Sequence, residues 1–136
     1  MRAIVVTRFG GPETLELQER PAPDAGEGQL LVDVTAAGVN FRDVYEREVE
    51  GYGPGEPPFV SGIEGAGRVA AVGAGVDEFR IGDRVVWKVF GSYAEQVLVP
   101  LREAVPIPEG VDDETACALV RCVDDLGAVA GAPSGW

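Results

Sequence analysis

The chain has 136 residues, of which 46% are hydrophobic, enough for one domain whose folding buries about two thirds of the unfolded surface. Twenty-three acidic residues against eleven basic ones give a net charge of −12, which disfavours contact with nucleic acid and with anionic membrane surfaces. Because no apolar run approaches the roughly 20 residues of a membrane span and no leader-like segment opens the chain, we expect a cytoplasmic protein.

Three short strands are predicted in the first third of the chain. A β-branched run at residues 2–7 ends at the turn cluster Phe9-Gly10-Gly11-Pro12. Apolar and polar residues then alternate over 15–19 and, after a loop rich in proline and glycine, over 30–36. Alternation with a period of two is typical of strands that bury one face.

A short helix is predicted next, over residues 39–47, with Asn40 as its N-cap. The following loop, residues 50–58, is rich in glycine and proline and carries Tyr52 with little to pack on locally. Such an aromatic side chain either folds back on the core or faces a ligand, and we favour the core because only a minority of loop positions carry function.

Glycines punctuate residues 62–75 around an apolar run at 68–72, which predicts a buried strand. Gly62, Gly65 and Gly67 have the spacing G-x-x-G-x-G. A dinucleotide fingerprint needs G-x-G-x-x-G between a strand and a helix, so that the pyrophosphate meets free amides at the helix N-terminus. Since these glycines precede a strand, we interpret them as tight turns and close backbone approaches.

Two further strands, at 83–89 and 91–100, bring the total to five or six short strands, which indicates a compact β-barrel or sandwich. A sustained helical pattern then begins near residue 112, with Asp112 or Asp113 as N-cap and Gly127 as its stop. Its apolar positions, at helical spacing, are Ala116, Leu119, Val120, Val123 and Leu126. We expect Cys117 and Cys122 to be free thiols because positions five apart in a helix do not share a face.

Several motifs occur in order along the chain: Gly38-Val39-Asn40-Phe41-Arg42-Asp43-Val44-Tyr45, Pro58-Phe59-Val60-Ser61-Gly62-Ile63-Glu64-Gly65-Ala66-Gly67-Arg68-Val69, Val72-Gly73, Gly82-Asp83-Arg84-Val85, Gly91-Ser92-Tyr93-Ala94-Glu95 and Val105-Pro106-Ile107-Pro108. Together they resemble the N-terminal catalytic domain of the medium-chain dehydrogenase/reductase superfamily, in its zinc-free quinone oxidoreductase branch. The resemblance implies a mainly β fold, a partly open GroES-like β-barrel with short helices and one C-terminal helix. It assigns residues 1–118 to this domain and 119–136 to the end of the helix and a divergent tail.

No metal site is expected. Zinc-dependent relatives place a Cys where Asn40 stands and a His where Ile63 stands, because zinc needs about three or four nitrogen, sulfur or oxygen ligands. This chain has no histidine, neither cysteine lies in the motif, and Glu64 alone cannot hold the ion.

The resemblance implies a cleft where a substrate carbonyl meets a nicotinamide ring. Asn40 and the phenols of Tyr45 and Tyr52 could donate hydrogen bonds to a developing oxyanion or enolate. The alternative interpretation of these residues is a helix cap and two buried aromatics with satisfied hydroxyls. The predicted catalytic residues are Asn40, Asp43, Tyr45 and Tyr52, and the predicted substrate contacts are Phe41, Glu64 and Tyr93.

No dinucleotide fingerprint, ribose-binding acid or cluster of phosphate-binding cations is present in the sequence, so we expect no cofactor site in this chain. The leading hypothesis is a cofactor-independent enzyme that promotes cyclisation, isomerisation or addition on a small unsaturated carbonyl or polyketide-like substrate, with Asp43 or Glu64 as a base. One alternative is half of an NADPH-dependent quinone or enoyl reductase that needs a Rossmann domain in trans. Another is a non-catalytic binding module or a truncated remnant.

A homodimer is the expected assembly. The apolar side of the terminal helix and the wall of the cleft would otherwise leave an exposed apolar patch, and such patches tend to find a partner. The acidic charge disfavours larger aggregates.

Overall fold

The computed structural model describes residues 1–120. Strands and two short 3-10 turns, Pro12–Thr14 and Leu101–Glu103, make up most of this part, together with helices α1 (Phe41–Glu48) and α2 (113–120). The strands are β1 (Arg2–Val6), β2 (Leu15–Glu19), β3 (Gln29–Ala37), β4 (Phe59–Val60), β5 (Glu64–Val72), β6 (Arg84–Lys88), β7 (Gln96–Pro100) and β8 (Ala104–Pro106). Within residues 1–120 no helix has the length and apolar composition needed to cross a bilayer.

The strands form two antiparallel sheets, a small one in the order β2-β1-β4 and a larger one in the order β7-β3-β5-β6-β8. A bridge between Ala3 and Ala94 joins them, and the Ile4 amide donates to the Tyr93 carbonyl at 2.8 Å. The chain segment before β7 therefore closes the gap between the sheets. This arrangement confirms the mainly β, partly open barrel with short helices and a C-terminal helix.

The core lies inside the larger sheet and is built from the inward positions of its strands. Trp87 is fully buried there, and its indole N–H donates to the Ser92 hydroxyl at 3.1 Å, which satisfies the one polar atom of the ring. The other buried members are Leu30, Val32, Val69, Val76, Phe79, Val85, Val97 and Val99. A second, smaller cluster lies where α2 packs against the same sheet and contains Ala66, Val86, Ile107, Ala116 and Cys117.

Two predicted strand boundaries were wrong. The strand predicted at 68–72 begins earlier, at Glu64, because Gly65 and Gly67 let neighbouring atoms approach its backbone. A Cβ on Gly67 would lie 2.0 Å from the Asp33 carbonyl oxygen. The strand predicted at 91–100 begins only at Gln96, since residues 91–92 form a turn whose two amides donate to the Gly62 carbonyl, at 2.8 and 3.2 Å.

The cap of α2 is Asp112. Its Oδ1 accepts a hydrogen bond from the Thr115 amide at 2.7 Å, and hydrogen bonds from Thr115 lower the pKa of the Asp112 carboxyl. Asp113 instead pairs with Arg84, with 2.5 Å between Oδ1 and Nη2, and thereby attaches the helix to β6. Cys117 is a buried free thiol, as expected. The predictions for Cys122, Val123, Leu126 and Gly127 lie outside the described residues.

Candidate functional site

Helix α1 buries two of its three acidic side chains and exposes its aromatic ones. Asp43 and Glu46, three positions apart and so on one side of the helix, are 8% and 0% exposed. Phe41 is 80% exposed and Tyr45 44%. Because a helix on a protein surface normally buries its apolar side, this reversal indicates that the aromatic side of α1 serves to contact something else.

Asn40 is held at the start of α1 by two carboxylates. As predicted, Asn40 is the N-cap residue, with extended backbone. Its backbone N–H donates to Asp43 Oδ2 at 2.8 Å. Its side-chain Nδ2 donates to Glu64 Oε1 at 2.9 Å. Since Glu64 is 4% exposed at the start of β5, this bond fixes the orientation of the Asn40 amide against the barrel.

Tyr93 joins the same buried network from the segment before β7. Its hydroxyl hydrogen-bonds to the Asp43 carboxylate and lies 3.0 Å from the Gly38 carbonyl oxygen. Burial raises the pKa of the Tyr93 hydroxyl, and the nearby Asp43 raises it further. Tyr93 therefore directs its hydroxyl to Asp43, while its ring lines an apolar groove with Val39.

Glu46 is a functional candidate that the sequence reasoning missed. Burial, reinforced by the negative charge of Asp43, raises the pKa of the Glu46 carboxyl to about 7. The Gly62 amide, Arg42 and the Ser61 hydroxyl offset part of this effect. The available sequence signal was the spacing of Asp43 and Glu46, which places both acids on one side of a helix that was already predicted.

The aromatic face, defined here as Phe41, Tyr45 and Tyr52, lies on the outer side of α1. The ring centroids of Phe41 and Tyr45 are 6.3 Å apart, and those of Tyr45 and Tyr52 are 5.4 Å apart. The prediction that Tyr52 folds back on the core was wrong. Tyr52 is 47% exposed and packs on Tyr45 of α1 instead, and Arg42 Nη2 donates to the Tyr52 carbonyl oxygen at 3.2 Å. The alternative interpretation of Tyr45 and Tyr52 as buried aromatics is wrong for the same reason.

A cleft of about 490 Å³ opens beside α1, between the strand β6 and the end of β7. Sequence reasoning named none of its charged residues, because they come from three separate segments of the chain. Its lining residues are Arg42, Ile63, Lys88, Val89, Phe90, Pro100, Arg102 and Glu103.

The structure thus divides the seven predicted site residues into two adjoining groups. Asn40, Asp43, Glu64 and Tyr93 form a hydrogen-bonded network that is largely buried, and the aromatic face lies outside it. Both groups meet at α1, which supplies or contacts every member. This arrangement can hold an amide in a fixed direction beside flat rings that accept a planar ligand.

The residue types at this site do not suit zinc, and the glycine-rich stretch beside it does not form a phosphate loop. Asn40 and Ile63 stand where metal ligands would be needed, and residues 1–120 contain no group of three His, Cys, Asp or Glu placed to hold an ion. A Cβ on Gly65 would lie 2.5 Å from Trp87 Cζ2, so this glycine serves side-chain packing inside a strand. The interpretation of the glycine-rich stretch as close backbone approaches is confirmed.

Residues 26–109 match the family described as alcohol dehydrogenase GroES-like domain. The chain belongs to this family. Within the medium-chain dehydrogenase/reductase superfamily it falls in the branch of the quinone oxidoreductases and the VAT-1 homologues.

Proteins similar to this chain include oxidoreductases and synaptic vesicle membrane proteins. Over 125 residues the chain is 42% identical to the synaptic vesicle membrane protein VAT-1 homolog of Mus musculus, covering 88% of this chain and 30% of that protein. It is 36% identical over 121 residues to a quinone oxidoreductase of Pseudomonas aeruginosa, covering 88% and 37%. The structure of Escherichia coli quinone oxidoreductase complexed with NADPH superposes with a TM-score of 0.82 at 34% identity, covering 87% and 36%. The chain therefore spans about a third of the length of the curated relatives it matches.

Proposed function

We propose that this chain is the substrate-binding part of a quinone oxidoreductase-type reductase. Its own residues would bind a conjugated carbonyl compound and polarise it, while a nicotinamide dinucleotide supplies the hydride from a domain outside the described residues. The observation that carries the proposal is the reversed helix α1, which exposes Phe41 and Tyr45 and buries Asp43 and Glu46.

The chemistry assigned to the site is hydrogen bonding to an oxygen that gains negative charge. Asn40 is the proposed donor, and the phenols of Tyr45 and Tyr52, which are about half exposed, are further candidate donors. A donor already held in position stabilises the developing charge without reorganising during the reaction. Phe41 and the two tyrosines offer flat surfaces on which a planar conjugated system can stack.

Asp43 and Glu64 are proposed as positioning residues for Asn40. Asp43 accepts a hydrogen bond from the backbone N–H of Asn40 at 2.8 Å, and Glu64 accepts one from the side-chain amide of Asn40 at 2.9 Å. Both acids are at least nine-tenths buried. A buried carboxylate that accepts a hydrogen bond from Asn40 holds this residue in place and is poorly placed to take a proton from a substrate. Tyr93 completes the support through its bond to Asp43.

Two findings support the requirement for a second domain. The glycine-rich stretch is used for strand packing, and the chain covers 37% of the Pseudomonas aeruginosa quinone oxidoreductase and 36% of the Escherichia coli enzyme that was solved with NADPH. The phosphates and adenosine of a dinucleotide need a cradle of backbone amides at a helix N-terminus. In the proposed enzyme that cradle belongs to a Rossmann domain.

The cofactor-independent cyclisation, isomerisation or addition is the second candidate. What favours it is that every residue assigned to the site lies in this one chain. It ranks lower because it needs an acid or base that reaches a substrate, and the carboxyl whose pKa is raised to about 7, that of Glu46, is 0% exposed. A binding role without turnover would use the same site residues.

Calorimetric titration of the chain with 9,10-phenanthrenequinone and, separately, with NADPH tests the proposal. We expect quinone binding that Asn40→Leu weakens about tenfold, while Gln18→Leu, which removes a side-chain amide from β2, leaves it unchanged. NADPH should not bind below about millimolar concentration, and joining the chain to the nucleotide-binding domain of the Pseudomonas aeruginosa enzyme should restore NADPH oxidation. Equal quinone binding by the two variants, or turnover of an enone by the chain without nucleotide, would contradict the proposal.

A further inference from the structure

Three cations, Arg42, Lys88 and Arg102, line the cleft beside α1. The chain has only eleven basic residues against twenty-three acidic ones, and Lys88 is its single lysine. In an acidic protein, positive charge gathered in one cleft attracts an anion to that cleft.

Arg42 is oriented by aromatic rings. Its guanidinium carbon lies 5.8 Å from the centroid of the Tyr52 ring and 5.7 Å from that of Phe90. Nη2 also donates to the Tyr52 carbonyl at 3.2 Å, which limits rotation of the group. Stacking on rings fixes the plane of a guanidinium. Its N–H groups lie in that plane, where two of them match the two oxygens of a carboxylate.

Within residues 1–120, Glu103 is the one acidic residue that lines the cleft, and it does not cancel the positive charge. It pairs with Arg102 at 3.3 Å, but the two side chains are 38% and 82% exposed. Ion pairs of this exposure are screened by water and contribute little. Arg42 and Arg102 against Glu103 leave one net positive charge among these three lining residues.

Apolar side chains supply the remaining walls of the cleft. Ile63 is buried and directly precedes Glu64, whose carboxylate holds the Asn40 amide. Val89 and Pro100 add further apolar surface. A volume of about 490 Å³ is within the range of small-ligand sites, which combine apolar walls with a few polar groups that fix orientation.

We propose that the cleft binds the carboxylate of a planar unsaturated carboxylic acid, with Arg42 as the principal partner and Arg102 reinforcing the field. The body of the ligand would lie along Ile63 and Val89. This inference rests on the proposed reductase function and specifies its substrate class as an anionic conjugated carbonyl compound. The apolar walls and the stacked guanidinium favour a flat carboxylate over a phosphate, whose strongly hydrated oxygens would lose solvation against such surfaces.

Calorimetry on the 136-residue chain with trans-cinnamate and with cinnamamide, in the absence of nucleotide, tests this directly. The two compounds have nearly the same shape and differ in the charge of one group. We expect cinnamate to bind at least about tenfold more tightly, with an affinity that falls as salt is added. Equal affinities for the two compounds would overturn the inference.

Three charge-removing variants locate the interaction. Arg42→Gln should weaken cinnamate binding about tenfold and Arg102→Gln about threefold, with little change for cinnamamide. Arg80→Gln, which removes the same charge from an exposed position outside the cleft, should leave both ligands unaffected. Circular dichroism checks that each variant is folded. If Arg42→Gln does not fold, the effect of Arg102→Gln on cinnamate binding tests the inference instead. A uniform loss across all three variants would overturn the inference, because it would show only the effect of net charge.

Competition with inorganic phosphate separates the two sources of negative charge. Displacement of cinnamate by low millimolar phosphate would assign the cleft to phosphate groups and contradict the carboxylate assignment. Because these binding measurements need no hydride donor, they test the carboxylate site separately from the proposed reductase function. Cinnamate binding without any reductase activity of the chimaeric enzyme would leave the carboxylate site standing, whereas quinone reduction with no preference for cinnamate over cinnamamide would leave only the reductase.

Discussion

The hydroxyl of Tyr93 and the carboxylate of Asp43 are joined by a hydrogen bond that links the segment before β7 to the first turn of α1. The same carboxylate accepts a hydrogen bond from the backbone N–H of Asn40 at 2.8 Å. One acidic side chain therefore connects the helix, its cap and the barrel. Asp43 Oδ1 is buried and has no hydrogen-bond partner among residues 1–120. The network is therefore sensitive to the loss of any donor.

Removing the Tyr93 hydroxyl should destabilise the fold. Tyr93→Phe leaves Asp43 Oδ2 with a single donor in a buried position, and we expect a loss of about 1–3 kcal/mol in the free energy of unfolding. Tyr45→Phe is the matched control, since that residue is 44% exposed, and should change stability by less than about 0.5 kcal/mol. Urea denaturation measures both variants, and losses of similar size would show that the Tyr93 bond carries no special weight.

Glu46 should make the protein less stable as pH rises toward neutrality. The pKa of its carboxyl is about 7 in the folded chain and about 4.5 when unfolded, so the folded state binds more protons between these values. Stability contributed by the protonated form is fully present below about pH 4.5 and is lost as pH rises through about 7, by at most about 3 kcal/mol. The chain has no histidine to titrate in the same range.

Urea denaturation between about pH 5 and 8 checks this slope. Glu46→Gln keeps the shape of a neutral Glu46 and should flatten the pH dependence, making the variant more stable than the parent above pH 7. Glu50→Gln, an exposed acid just beyond the same helix, should retain the parent slope. A parent curve that is level or rises across this interval would contradict the assignment to Glu46.

A side chain at Gly38 should displace the Glu64 carboxylate. A Cβ at this position would lie 2.0 Å from Glu64 Oε1, the atom that accepts the hydrogen bond from Asn40. Gly38→Ala should therefore cost about 1–3 kcal/mol of stability and weaken quinone binding as Asn40→Leu does. Gly26→Ala approaches only the flexible end of Gln29, at 3.0 Å, and should be tolerated. Normal ligand binding by a folded Gly38→Ala would indicate that Glu64 does not position Asn40.

We also propose that the chain forms a homodimer through α2 or the wall of the cleft. Leu119 on α2 is 49% exposed, and Phe41 and Val39 at the start of α1 are 80% and 87% exposed. Burying such side chains stabilises association by about 25 cal/mol per Å² of apolar surface, before the costs of association are subtracted. Sedimentation velocity across micromolar concentrations should show a dimer that Leu119→Glu weakens. A single monomeric species over that range would contradict the proposal.

The positions of the strands and helices were largely predictable because their signals are local. Alternation over 15–19 and 30–36 predicted β2 and β3, and the acid at Asp112 predicted the start of α2. These patterns depend on residues within one turn or one pleat of each other, which neighbouring sequence letters record directly. The beginnings of β5 and β7 were missed because glycine spacing does not reveal which neighbouring backbone will approach.

The sequence by itself determined the composition of the site, and the motif around Asn40 named residues that meet at α1. Only the tertiary structure decided how they are used. Asn40 and Glu64 are 24 residues apart, and Asp43 and Tyr93 are 50 apart, so their contacts depend on strand register and on the path of two loops. Helical spacing predicted α1 but could not tell that its acidic side is the buried one, because that choice depends on Ser61, Gly62 and Tyr93, which lie opposite it. The cationic cleft arises in the same way, from charges on three segments that no local pattern connects.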